Sequence, residues 1–458
     1  MRRTSADAGL ARTFVLLSFV ALTLFSKSMA ASRPHVLVIS IDGMRPDYVT
    51  KADEHHLKIP TLRGLMKNGT YADGVVGVIP TYTYPSHTTL VTGVSPAVHG
   101  VYNNQKFDPL GTLHGAVFTD YDMIKVETLW HVAKMAGYTT ASVGWPVTTG
   151  SNDIDYLMPA NAVFEGKSAD GEKVEASNSN IHFDHPAGLR EVLEPDVPKG
   201  DLSIDERRFA WMTAILRRYK PGFMTTHLGE LDHAEHATGP FSEESNRALE
   251  MLDGEVAQLI ALERSIDPNA YIVVVSDHGF EPIEKTVNLG VLFARAGLVH
   301  HESATVPGSW DATLWPSGGT AAVMLHDPTN QTVRSKAESL IRDAAKDPEY
   351  GIAHILTHDE VIKRGGYPDA AFLIELSPGF KFGGAMKGDV VTPSPHTGTH
   401  GFLPERPELY ASFLLTGPGV ARGRDLGVID MRQIAPTLAR ILHVQLPTAK
   451  QPPVHYER

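Results

Sequence analysis

Two apolar runs, His35–Ile41 (HVLVISI) and Tyr271–Ser276 (YIVVVS), each lead straight into an aspartate, Asp42 and Asp277. Neither run alternates polar with apolar residues, so each reads as a strand covered on both faces, and Gly43 and Gly279 mark the turns that follow. Three more segments read as buried strands: Tyr138–Trp145, Gly222–Leu228 and Tyr410–Leu415. Helical spacing runs through Pro60–Lys67, Lys125–Ala136, Ser203–Tyr219, Glu243–Leu262 and Asp430–Leu442. Strands alternating with helices predict an α/β fold with a largely parallel central sheet and helices on both faces. In such a sheet, ligands bind in the crevice outside the carboxyl ends of the strands, where Asp42 and Asp277 stand.

Two stretches interrupt the alternation. Residues 150–200 and about 300–398 are richer in Gly, Pro, Ser and charge. If Asp277 and His400 share one site, the second stretch must leave the core and return, so both read as cap insertions in a single catalytic domain, 31–458, and not as independent domains. Residues 1–30 differ from the rest. Arg2, Arg3 and Arg12 precede a mostly apolar run from Phe14 to Phe25, and Ser28-Met29-Ala30 supplies small residues for cleavage, the pattern of a secretory signal peptide. The apolar run falls short of the roughly 20 residues of a spanning helix. Export to a bacterial periplasm or medium is the expectation, and the absence of cysteine leaves neither a disulfide framework nor a thiol for a lipid anchor. The formal charge of −12 becomes more negative once the basic leader is removed, which disfavours long nucleic acids and leaves small phosphorylated molecules as the better partners.

Four further residues complete a set with metal-ligand chemistry. Asp232 and His236 are four apart in LDHAEHATGP, a spacing that puts both on one face of a helical turn; the competing reading is a polar loop. His278 follows Asp277 where a buried strand surfaces, although a strand-ending turn would look the same. His400 lies in GTHGF and says nothing alone, being one of 22 histidines. Oxygen and imidazole donors without thiolate suit catalytic zinc, with manganese as the weaker alternative. Thr83, in PTYTYPSH, precedes Pro85, which can open a helix, so its hydroxyl would lie near a helix N-terminus. A dication and the helix end would together make it a nucleophile. Otherwise Thr81, Thr83 and Ser86 are competing helix caps.

The joint pattern resembles the nucleotide pyrophosphatase/phosphodiesterase family of the alkaline phosphatase superfamily. It consists of Asp42 in IDGMRPDY, Thr83 in PTYTYPSH, Asn103-Asn104 after His99-Gly100, and the two Asp/His pairs, in order over nearly the whole chain. The resemblance implies an alkaline-phosphatase-like fold and two zinc ions. One would be held by Asp232, His236 and His400, the other by Asp42, Asp277 and His278 with Thr83 as nucleophile. Asn104 would hold a phosphoryl oxygen together with the Thr83 N–H, and Tyr84 would stack on a nucleobase or leaving group. Tyr82 and Ser86 depart from the Lys and Asn that the family commonly has there. The implied activity is hydrolysis of small phosphodiesters through a phosphothreonine. A phosphonate or phospholipid-headgroup hydrolase and an inactive binding protein are the alternatives.

Overall fold

The computed structural model describes residues 33–113, 115–160, 183–301 and 307–458. The leader, 1–30, and parts of both insertion segments lie outside the described residues. From Arg33 onward the chain is one compact unit. Its centre is an eight-stranded sheet of β1 (Val36–Ile41), β2 (Thr70–Tyr71), β3 (Thr140–Val143), β4 (Tyr156–Met158), β5 (Phe223–Leu228), β6 (Tyr271–Val275), β7 (Phe413–Thr416) and β8 (Arg424–Asp425). The order is β8-β2-β7-β6-β1-β5-β3-β4. The strands from β6 to β4 pair in parallel, and β7 enters antiparallel to both β6 and β2. The last of the expected strands therefore begins three residues later than Tyr410 and runs against the others.

β1 shows why the sheet is covered on both sides. Val36 and Val38 enter one apolar cluster with Val273, Trp130 and Leu438, while Leu37, Ile39 and Ile41 enter another with Trp211, Leu252 and Val256. Alternate side chains of a strand point to opposite faces, so an unbroken apolar run needs a core on each. Helix α1 (Thr83–Thr92) packs on the first face, and α2 (Ile204–Tyr219) and α4 (Glu243–Ile266) on the second. Between the latter two comes α3 (Glu230–Thr238), directly after β5. The α2 helix starts one residue after Ser203, whose side chain forms a capping box with Glu206.

Besides a two-stranded pair of Val299–His301 with Pro307–Trp310, residues 281–399 build two further sheets. One is antiparallel, in the order Ala312–Ser317, Thr320–Leu325, Phe372–Leu376, Ile352–Thr357; the other joins Gly379–Phe382 and Val391–Thr399 to Glu281–Val287. They share a further apolar cluster that includes Phe293, Val323 and Ile374. Val391–Thr399 returns antiparallel to Glu281–Val287 with Thr399 opposite Glu281. That register delivers His400 to a point beside the segment that follows His278.

Candidate active site

Asp42, Asp277 and α3 all emerge at the carboxyl edge of the sheet, from the neighbouring strands β1, β6 and β5. Asp42 is 5% exposed, and Asp277 and His278 are fully buried. The ligand atoms of Asp42, Asp277 and His278 lie within 4.8 Å of one another, as do those of Asp232, His278 and His400. His278 thus borders both groups. Its Nε2 is 3.3 Å from Asp42 Oδ1 and 3.1 Å from Asp277 Oδ2, and its ring stacks on that of His400 with centroids 3.6 Å apart. His236 stands at the edge of the second group, with Nε2 3.4 Å from Asp232 Oδ1.

The ring nitrogens show what these residues are arranged to do. Nδ1 of His236 faces the Gly398 carbonyl at 3.1 Å, that of His278 the Gly279 carbonyl at 3.2 Å, and that of His400 the Thr81 carbonyl at 3.1 Å. A carbonyl only accepts, so each Nδ1 carries the proton and each Nε2 presents a lone pair. Those lone pairs point at carboxylates. Asp42 Oδ1, Asp232 Oδ1 and Asp277 Oδ2 are buried with no hydrogen-bond partner. Acceptors converging without donors repel, and a divalent cation between them removes the conflict; a backbone carbonyl behind each imidazole is the usual support of a metal-ligating histidine. The donor set fits a metal, and the residues that would hold it are these six with Thr83.

The electrostatics agree. Burial and the Asp42 charge push Asp277 and Asp232 well above the usual carboxylate range. Burial acts on Asp42 in the same direction, but the hydrogen bond from His227 and the nearby imidazoles outweigh it and hold that carboxyl well below the range. Desolvation lowers His278 to about 4 and depresses His236 and His400 as well. Without a cation, burial favours the protonated form of Asp232 and Asp277 and the neutral form of the three imidazoles, while Asp42 stays ionised.

Thr83 Oγ1 lies 3.4 Å from His278 Nε2, beside the Asp42 group. It opens α1, with Tyr82 as an extended N-cap residue that contributes no side-chain bond. Thr81 turns its hydroxyl to the Phe402 carbonyl at 2.9 Å, and Ser86 Oγ is buried without a partner. None of the three hydroxyls therefore caps the helix. The Tyr84 N–H donates to Asn104 Oδ1 at 2.8 Å, while Asn103 Oδ1 accepts from the Asn104 N–H at 2.7 Å, so the Asn104 amide is held beside the start of α1. Tyr84 is half-buried next to it.

Four contributors escape sequence reasoning. His227, the fifth residue of β5, places Nε2 2.9 Å from Asp42 Oδ2 and Nδ1 3.0 Å from the Gly144 carbonyl. A polar residue near the carboxyl end of a buried strand was the available signal. His87 bridges the Thr83 carbonyl and Ser40 Oγ, both at 2.9 Å. Glu235, fully buried between Asp232 and His236 in sequence order, accepts from Tyr48 Oη at 2.8 Å and leaves Oε2 unpartnered. Arg208 packs against Gly144.

Comparison with known proteins gives a family. The profile described as type I phosphodiesterase / nucleotide pyrophosphatase matches residues 36–403. Ectonucleotide pyrophosphatase/phosphodiesterase family member 1 of Homo sapiens is 27% identical over 260 residues, 54% of this chain and 24% of that protein. An uncharacterized pyrophosphatase/phosphodiesterase of Schizosaccharomyces pombe is 25% identical over 299 residues, 62% of this chain and 50% of that protein. The matches thus span a quarter to a half of these relatives. Human ectonucleotide pyrophosphatase/phosphodiesterase 5 superposes with a TM-score of 0.63 at 18% identity, covering 92% of this chain and 97% of that one. The murine counterpart, solved as an inactive variant in complex with AMP, gives the same TM-score at 20% identity. The fold is alkaline-phosphatase-like.

Proposed function

Since this chain belongs to the type I phosphodiesterase / nucleotide pyrophosphatase family, we propose that it is a two-zinc hydrolase of small phosphodiesters, nucleotide-type substrates included, acting through a phosphothreonine at Thr83. The observation that carries the reading is Thr83 Oγ1, 3.4 Å from His278 Nε2 at the uncapped start of α1, next to two groups of converging lone pairs. Asp232, His236 and His400 would hold one ion and Asp42, Asp277 and His278 the other, with His278 near both. When bound, the ions supply charge neutralisation at the phosphoryl oxygens and a lower pKa for the attacking hydroxyl and water.

The chain's own residues do the rest. The ten-residue helix behind Thr83 directs its positive end at an incoming anion. Thr83 Oγ1 attacks phosphorus in line, the alcohol or phosphate opposite departs, and water then releases the phosphoryl group from Thr83. The Thr83 N–H and the Asn104 amide orient a nonbridging oxygen, and Asn104 is itself held through Tyr84 and Asn103. His87, bound to the Thr83 carbonyl and to Ser40, fixes the first turn of α1 over β1. Tyr84 offers its ring to the organic part of the substrate.

Residues 1–30 direct export, and the mature protein works in the periplasm or outside the cell. No helix among the described residues is long and apolar enough to cross a membrane. Elemental analysis together with turnover of the 4-nitrophenyl ester of thymidine monophosphate tests the reading. Two zinc per chain and chelator-sensitive hydrolysis are the expected result; full activity in a metal-stripped sample would end it.

A further inference from the structure

Arg208 is the buried cation that the scheme above leaves idle. It lies on the sheet-facing side of α2, 8% exposed, and reaches over the carboxyl edge of the sheet between the ends of β3 and β5. Gly144 makes the room, and Gly229 lies at ordinary contact distance. A Cβ on Gly144 would sit 3.0 Å from Arg208 Nε, and one on Gly229 would sit 3.6 Å from Nη1. Gly144, at φ +73°, also gives its carbonyl to His227, which faces Asp42. Two residues, Gly144 and His227, therefore separate the guanidinium from Asp42, and its charge acts on the Tyr84 phenol against the effect of burial.

Its partners do not account for it. Among the described residues Arg208 makes one hydrogen bond, from Nη1 to Asp205 Oδ1 at 3.3 Å, and Nε is buried with none. Asp205 is engaged elsewhere. Its Oδ2 accepts the Gly229 and Glu230 N–H groups at 2.6 and 2.7 Å, ahead of α3. A desolvated guanidinium with one long bond is costly unless an anion meets it, and its planar fork matches two oxygens of one phosphoryl group.

We propose that Arg208, over the carboxyl edge of the sheet, forms an anion subsite that takes a second phosphoryl group of the substrate, so that it selects diphosphate-linked substrates over esters with a single phosphorus. The inference rests on the phosphodiesterase reading and adds a specificity residue to it. The helix end and the ions serve the reacting phosphorus; Arg208 serves its neighbour.

The test compares ATP with bis(4-nitrophenyl) phosphate on zinc-loaded protein, in the wild type, Arg208→Met and Arg208→Lys. The expected result is a kcat/KM that falls at least tenfold more for ATP than for the single-phosphorus ester in Arg208→Met, about 1.4 kcal/mol of differential stabilisation, with Arg208→Lys in between. Parallel loss on both substrates would make Arg208 a fold-supporting partner of Asp205 and overturn the proposal. Calorimetric titration of inorganic pyrophosphate and inorganic phosphate into zinc-loaded Thr83→Ala, with and without Arg208→Lys, gives a readout that needs no turnover. Pyrophosphate should lose affinity at least tenfold more than phosphate on losing the fork, and equal losses would count against the subsite. A wild type that hydrolyses neither substrate yet binds pyrophosphate through Arg208 would instead sink the hydrolase reading alone.

Discussion

Replacing Asp277 with Asn should change stability with opposite consequences in the metal-free and metal-loaded protein. Asp277 is fully buried; Oδ1 accepts the Gly43 N–H at 3.2 Å, and Oδ2 has no partner while facing His278 Nε2 at 3.1 Å. Asn keeps the oxygen for Gly43 and turns an amide donor toward the imidazole lone pair without the proton uptake that burial imposes on Asp277, so without metal the substitution removes a cost. Metal reverses the balance. A ligand at 100 times its Kd stabilises by about 2.7 kcal/mol, and a unit of about 430 residues unfolds with an entropy near 0.9 kcal/mol/K, so each occupied site is worth about 3 °C in Tm. Two sites give the wild type about 6 °C. Losing an inner ligand weakens one site by at least the roughly 100-fold upper range seen for outer-shell partners, which leaves the variant about 3 °C. Thermal unfolding of chelated and zinc-titrated samples measures both numbers. A metal-free Asp277→Asn protein at or above wild-type Tm, with about half the zinc shift, is expected. An unchanged zinc shift, or a metal-free loss of several degrees, would refute the idea that Asp277 is present for a cation.

Thr83→Ala should lose several orders of magnitude in turnover with metal content nearly unchanged, since the hydroxyl attacks while carboxylates and imidazoles bind; activity within about tenfold of wild type, measured beside elemental analysis, would remove Thr83 from the chemistry. Zinc binding near pH 7 should release at least about one proton per chain, because Asp232 and Asp277 are pushed up by burial and hold protons that the ion displaces. Calorimetry in buffers of different ionisation enthalpy reads this, and zero release between about pH 6 and 8 would contradict it. For the metal-free protein the signs differ by group. The raised carboxyls cost stability as pH climbs above the ordinary carboxylate value of 3.8, whereas His278, lowered to about 4, costs stability as pH falls from 6.5 toward 4. The two trends oppose each other between pH 4 and 6.5, so the denaturant midpoint of Asp277→Asn relative to wild type should rise with pH across that range, and a difference independent of pH would speak against the burial of Asp277. Gly43→Ala should cost about 3 kcal/mol, or about 3 °C, since its φ of +76° strains a side chain and a Cβ would lie 2.6 Å from Glu235 Oε2; a loss under about 1 kcal/mol would mean that Glu235 moves freely. The thymidine monophosphate ester should exceed 4-nitrophenyl phosphate in kcat/KM by at least about tenfold, and parity would assign Arg208 to the reacting phosphoryl group itself.

What the sequence revealed follows from where the strands end. β1 and β6 are unbroken apolar runs because both faces are covered, and an acidic residue directly after such a run stands at the carboxyl edge of a parallel sheet. That logic reached Asp42 and Asp277 from spacing alone. It assigned no direction to β7, because an antiparallel strand inside a covered sheet is as uniformly apolar as a parallel one, and Phe413–Thr416 is buried throughout. It began the helix of Lys125–Ala136 four residues early, since Thr128, whose side chain accepts from the His131 N–H, is the true cap.

The histidines and Arg208 mark a different limit, set by the third dimension. Spacing put His236 with Asp232 and left His278 with its neighbour Asp277, whereas the return of Val391–Thr399 along Glu281–Val287 stacks His400 on His278 and makes His278 common to both groups. No local pattern announces a ring that serves two clusters, because the second cluster arrives with a segment from elsewhere in the chain. Arg208 is hidden more thoroughly. Three residues after Asp205 on an amphipathic helix, it looks like half of a surface ion pair. Its placement depends on Gly144, where a Cβ would lie 3.0 Å from Nε. A side chain at Gly144 would press on the guanidinium at the sheet edge, so the placement of this arginine is written in a residue that has no side chain at all.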